Sequence, residues 1–340
     1  MRTATRVAAL VALLLGPILA VPAAGQDTHL LVVVGLGGDP AYRELFHEWA
    51  VETVSAAEER LGVSRDRITY LGERPDDSPE IIDARSTSEN LAASLARISG
   101  AAGPRDRVLI LLIGHGTGDG TEVEFNLPGP DLTPEALEVM LADFSTQTVA
   151  VVNTSPSSGP FVAGLSGPNR VILTATRTAQ EKNETQFGGF FVQGLTEDDS
   201  DLNKDGRISL LEAFQYAHRE VERFYETRNL LATEHALLDD NGDGEGSTEL
   251  GDDAADGRLA ASFWLGGGGL AGARAEVPDS LIDSELLRLY QEKAELEARV
   301  LELRGLRAQM EESRYERELE ALLVELALKN REIRAKGGGG

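Results

Sequence analysis

Arg107-Val108-Leu109-Ile110-Leu111-Leu112-Ile113-Gly114-His115-Gly116-Thr117 is the stretch on which the fold turns. From 108 to 113 every residue is aliphatic, so a strand built from them has no face to give to water. A strand covered on both sides belongs in the middle of a parallel sheet. Two glycines then stop the run and set a histidine where the strand ends. Moving outward, residues 30–34 form a second continuous apolar strand, turned by 35–39, and 67–71, 148–152 and 171–175 read as further strands. Between them lie helical patterns. Residues 41–61 carry Leu45, Trp49, Val54 and Leu61 near one face, residues 88–98 carry Leu91, Leu95 and Ile98, and residues 133–144 open on a Thr133 cap. Strands alternating with helices predict an α/β fold, a mostly parallel sheet flanked by helices, with ligands bound beyond the carboxyl ends of the strands.

Two of those strand ends carry reactive residue types. His115, between Gly114 and Gly116, suits a general base beside a backbone amide, Gly116, that could hold an oxyanion. After the strand at 148–152 comes Asn153-Thr154-Ser155-Pro156-Ser157-Ser158-Gly159, where Ser155 is placed as a nucleophile would be. Read without chemistry, the first is a turn histidine and the second a serine-rich loop.

Together these residues resemble the legumain and caspase group of cysteine peptidases, the caspase-haemoglobinase fold. In that group a His-Gly ends one strand, and an acid, a small residue, the nucleophilic cysteine and a Ser-Gly pair end the next. The resemblance runs over 28–246 and is most specific over 115–159. Asn153 falls at the acidic position, Thr154 at the small one, Ser155 at the cysteine and Ser157 at the motif serine, with Gly159 one residue late. It implies a His115–Ser155 pair in a peptidase fold whose thiol is replaced. A hydroxyl, unlike a thiol, must lose its proton to a base during attack. The implied protein is therefore catalytically degenerate, a peptide- or protein-binding module. A working serine-type endopeptidase or amidase using the same pair is the alternative, and an assembly protein is a third.

Asp201-Leu202-Asn203-Lys204-Asp205-Gly206-Arg207-Ile208-Ser209-Leu210-Leu211-Glu212 has the spacing of an EF-hand calcium loop. Asp201, Asn203, Asp205, Ser209 and Glu212 supply side-chain oxygen, Arg207 its backbone carbonyl, and Gly206 the sharp turn. Ca2+ is the expected cofactor. Residues 210–225 read as the exiting helix and 186–196 as a weak incoming one. Asp239-Asp240-Asn241-Gly242-Asp243-Gly244-Glu245 imitates the loop, but Gly246 and Leu250 stand where an apolar residue and a bidentate Glu belong, so it reads as a structured acidic turn, with a second calcium loop as the alternative. Arg177 reads as a capping or surface residue, with a pocket role as the alternative, His218 and His235 read as structural, and Asn183-Glu184-Thr185 is a formal glycosylation sequon.

Composition narrows the partners. The chain of 340 residues carries 57 acidic against 32 basic side chains and no cysteine. A field that negative repels nucleic acid and anionic membranes, and the missing thiols exclude a disulfide scaffold or cysteine-ligated metal. Protein or peptide partners are expected. Residues 1–25, with Arg2, Arg6 and an apolar stretch ending in small residues, read as a signal peptide, so the protein is expected to be secreted or periplasmic, with membrane contact only through an uncleaved signal. The main domain is expected over 26–265, a glycine-rich linker over 266–280 and a disordered tail over 337–340. In 281–336 Leu289, Leu296, Leu303 and Met310 recur every seven residues, joined by Leu319, Leu322, Leu326 and Ile333 in a shifted register. This predicts an unbroken helical rod of about 80 Å, or a coiled coil, that joins copies into a homo-oligomer, while Lys293, Arg307 and Arg314 at core-type positions leave one long amphipathic helix docked on its own domain as the alternative.

Overall fold

The computed structural model describes residues 26–119, 122–203, 207–248, 250, 254–266, nine helical positions within 288–303, and 312–337. The expected signal peptide lies outside the described residues, as do 267–280, 338–340 and, within the expected calcium loop at 201–212, Lys204, Asp205 and Gly206. No helix among the described residues is long and apolar enough to cross a membrane.

The central sheet has seven strands in the order β3-β2-β1-β4-β7-β8-β9. They are β1 Thr28–Val34, β2 Ile68–Gly72, β3 Ala84–Arg85, β4 Arg107–Ile113, β7 Thr148–Asn153, β8 Arg170–Thr174 and β9 Leu237–Asp239. All pairs are parallel except β8 with β9, which run antiparallel. A separate hairpin, β5 Gly116–Gly118 and β6 Val123–Phe125, follows β4 directly. The fold class is thus α/β, as the apolar runs predict. The short edge strands β3 and β9 and the hairpin are too brief to show a period.

Alternate residues of each strand feed two cores. Leu109, Leu111 and Ile113 of β4 join Leu30 and Val32 against α1 (Pro40–Glu59), α5 (Phe187–Thr196) and α6 (Leu210–Thr227). Val108, Ile110 and Leu112 join Leu31 and Val33 against α2 (Ser88–Ala101), α3 (Pro134–Leu141) and α4 (Phe161–Leu165). Caps fix where the helices begin. The Thr133 hydroxyl accepts from Ala136 N at 3.2 Å, and Asp39 accepts from Ala41 N at 2.8 Å. A four-residue helix, α7 (Arg258–Ala261), precedes Gly266, whose carbonyl accepts from the Thr28 hydroxyl at 2.8 Å.

The unbroken rod is corrected. Helical positions within 288–303 face α8 (Glu312–Gly337): Leu296, Val300 and Leu303 pack with Tyr315 and Leu322, and Leu289 packs with Ile333. Lys329 Nζ lies 2.6 Å from Glu292 Oε2. In one continuous helix residues 292 and 329 would stand about 55 Å apart. The chain therefore reverses, and the two segments form an antiparallel helical pair. The physical reason is that a leucine stripe is covered at the small entropic cost of one loop when its partner is on the same chain.

Helix α5 has no side-chain cap of its own, and a distant residue supplies one. The Glu234 carboxylate, 2% exposed, accepts from Gln186 N at 2.9 Å, Phe187 N at 3.0 Å and the Tyr225 hydroxyl at 3.1 Å. Burial outweighs these donors and raises its pKa above the ordinary 4.5. The folded state then holds the proton longer than the unfolded chain, so this group's stabilisation is fully present below the ordinary value and is lost as pH rises through the folded one. Urea unfolding between about pH 4 and about pH 8 should show wild type weakening with rising pH more steeply than Glu234→Gln. Parallel curves for the two proteins would refute it.

Candidate active site

Four neighbouring parallel strands, β1, β4, β7 and β8, end on the same edge of the sheet, and the loops that follow them gather the residues of the site. Gly35–Asp39 follows β1, Gly114–Gly116 follows β4, Asn153–Gly159 follows β7, and 175–185 follows β8. His115 and Ser155 are brought to adjacent loops. Gly116 lies against the serine: a Cβ on it would sit 2.6 Å from Ser155 Oγ and 2.4 Å from the Pro156 carbonyl. Only glycine fits there.

Among the described residues no hydrogen bond joins His115 to Ser155. Each ring nitrogen of His115 faces an acceptor: Nε2 lies 3.2 Å from the Gly37 carbonyl and Nδ1 lies 3.4 Å from Glu184 Oε1. The ring is wedged edge-on between Tyr42 and Phe46, with centroids 4.9 and 5.0 Å away. Glu184 also bonds the Tyr42 hydroxyl, and its charge, ahead of burial, raises that phenol's pKa. The Gly37 loop is fixed in turn by Glu73, which accepts from Gly37 N at 3.1 Å and Arg43 Nε at 3.2 Å.

Ser155 has a different partner. Asn153 Oδ1 accepts both its hydroxyl, at 2.7 Å, and its backbone N–H, at 3.0 Å. The N–H fixes the amide's orientation, because only an oxygen can accept it. Asn153 Nδ2 is left buried without a partner. The loop itself is closed: Thr154, Ser155, Ser157 and Ser158 are each at most 2% exposed. Ser157, at φ 58°, donates its N–H to the Glu181 carbonyl and its hydroxyl to the Ala179 carbonyl. Thr185 donates to the Thr154 carbonyl at 2.6 Å, and Gly159 N donates to Thr176 Oγ1 at 3.2 Å.

Sequence reading missed Glu184, which it met only inside the sequon, and missed Tyr42. It also assigned Asn153 a motif position without its hold on Ser155. A carboxylate 69 positions from its histidine leaves no periodic trace. Arg177 is exposed and its N–H donates to Glu181 Oε2 at 2.8 Å. His235 pairs with Glu181 at 2.7 Å, and His218 lies 3.9 Å from Glu222.

In the 201–212 loop, Glu212 is 5% exposed and turned toward the loop backbone. Its Oε1 accepts from Leu202 N at 3.1 Å and Asn203 N at 3.2 Å, and its Oε2 from Ser209 N at 2.9 Å and the Ser209 hydroxyl at 2.7 Å. Ser209 and Glu212 also form the capping box of α6. The carboxylate at the last loop position thus reaches back to the backbone of the first positions, with both of its oxygens accepting hydrogen bonds. Arg207 stacks on Trp264 at 4.9 Å, and the same indole receives Arg107 on a ring at 3.8 Å.

These features define an α/β protein with a closed polar cluster at the carboxyl edge of its sheet. No family model matches the chain, and no curated protein matches it. Among solved structures, the crystal structure of drICE is similar at a TM-score of 0.36 and 9% identity, over 60% of this chain and 86% of that one. The fold class rests on the strand order of this chain and not on that likeness.

Proposed function

We propose that the chain is an exported, peptidase-like protein of the caspase and legumain kind whose catalytic pair no longer works, and that it binds peptide or protein at the carboxyl edge of its sheet. One observation carries this reading: Asn153 Oδ1 takes both protons that Ser155 could offer to chemistry, the hydroxyl needed for attack and the N–H that would otherwise face an oxyanion. His115, with an acceptor at each ring nitrogen, has no lone pair turned to the serine. Calcium at 201–212 supports the opposite, amino edge of the sheet, where Arg207 shares the Trp264 ring with Arg107 at the start of β4, on the strength of the inward-turned Glu212.

The serine-type reading keeps one observation in its favour. Glu184 sits 3.4 Å from His115 Nδ1, where a third residue would orient the base of a working triad. A panel of fluorogenic peptide amides and esters separates the two. Wild type should show no burst and no turnover above buffer, while labelled peptides from the panel bind. Turnover that Ser155→Ala and His115→Ala each abolish would overturn the degenerate reading. Self-association through 281–336 no longer follows from the leucine stripe, which the chain covers itself. What supports it is Leu323, Val324 and Leu328, exposed on the other side of α8.

A further inference from the structure

The acidic turn that follows β9 begins on an unexplained buried carboxyl group. Asp239, the last residue of β9, is 1% exposed. Its Oδ1 accepts from Gly242 N at 3.2 Å, which turns the carboxylate toward the 239–245 turn, and its Oδ2 is buried without a partner. Asp256, 3% exposed, lies beside it, accepting from Asp240 N at 3.1 Å and from the Ser247 hydroxyl. Asp240 spends its carboxylate on Gly257 N and Ala260 N at the start of α7, both at 2.8 Å. Among the described residues no Lys, Arg or His pairs with Asp239, Asp240, Asp243 or Asp256. Buried carboxylates without a counter-charge are costly unless they hold a metal.

A second buried, unpartnered oxygen lies near the turn. Ser166, just after α4, has its Oγ buried without a partner, and its Cβ lies 3.9 Å from where a Cβ on Gly244 would sit. Gly244 itself has φ 79°, the left-handed conformation that lets the turn fold over this spot. Asn241 and Asp243 are exposed on the turn and bonded only within it.

We propose that Asp239, Asn241 and Asp243, with the Glu245 carbonyl, form a second calcium site on the turn that closes the antiparallel edge of the sheet. The donors are all oxygen, which selects a hard cation, and they alternate along the chain as in the first half of an EF-hand loop. Among the described residues no three His, Asp or Glu side chains converge as they stand, consistent with a set of two carboxylates, one amide and one carbonyl. With Leu250 where a bidentate Glu would close the loop, the affinity belongs to the weak class, with a dissociation constant of about 0.1–1 mM.

Calorimetric titration of the full chain with calcium chloride tests it, using Glu212→Gln to remove the first loop. Glu212→Gln should retain one weak equivalent, and Asp243→Asn on that background, an exposed change that leaves the core intact, should weaken it about tenfold or more through the lost charge. Asp239→Asn on the same background should abolish it. If wild type itself shows a single weak equivalent that Glu212→Gln leaves untouched, the 201–212 assignment fails and this one stands. A Glu212→Gln protein that melts cooperatively and takes up no calcium overturns the proposal, as does retention of the weak equivalent in Asp243→Asn with wild-type affinity. Equal affinity for magnesium overturns the assignment to calcium.

Discussion

Gly159→Ala is expected to cost about 3 kcal/mol and to lower the melting temperature by on the order of 10 °C. The Cβ it adds would lie 2.2 Å from the Arg177 carbonyl oxygen, 2.3 Å from its carbon and 2.6 Å from Thr178 N. All three are backbone atoms, so no side chain can swing away. Retreat of either strand end would break the bonds that tie the loop to 176–185: Gly159 N to Thr176 Oγ1, Ser157 N to Glu181 O and Ser157 Oγ to Ala179 O. Gly100→Ala provides the contrast. It lies in α2 with nothing within 4 Å of the added methyl, so it should stabilise by about 0.5–1 kcal/mol through helix propensity. Differential scanning calorimetry reads both, and a Gly159→Ala protein that melts with wild type would show that the close approach is wrong.

Calcium should have an effect of similar size through the 201–212 loop. A cation that binds only the folded state at a hundredfold excess over its dissociation constant stabilises by about 2.7 kcal/mol. Glu212 both closes the loop and completes the α6 capping box, so Glu212→Ala loses about 1 kcal/mol even in chelator. The diagnostic quantity is the shift between calcium and chelator, large in wild type and strongly reduced in Glu212→Ala. Ser209→Ala, which removes the hydroxyl half of the cap and one oxygen, should lower the baseline similarly while keeping more of the calcium shift. Identical wild-type melting in calcium and chelator would remove calcium from the 201–212 loop.

Much of this protein is legible in the residue order alone. The aliphatic runs at 30–34, 108–113, 148–152 and 171–175 each became a strand of the sheet. Such runs state their own burial, since a strand apolar on both faces has only one stable setting. Thr133 announced a helix for an equally local reason, an oxygen three residues from an N–H that needs it. The order of His115 and Ser155 on successive strand ends also placed them on one edge, because parallel strands joined by helices bring all their carboxyl ends to the same side.

What the sequence by itself determined is therefore whatever depends on period and immediate neighbours: the elements, their layering and the edge where polar loops collect. Tertiary structure alone decided the partners. Nothing in the residue order says that Glu184 faces His115, that Glu234 caps a helix 47 residues earlier, or that Asp239 is buried with one oxygen unpaired. The C-terminal stripe shows why: Leu289, Leu296 and Leu303 require some apolar surface at heptad spacing, and residues on α8 and residues on a second copy satisfy that period equally. Periodicity fixes which face must be covered, but the identity of the cover depends on how the chain returns through space.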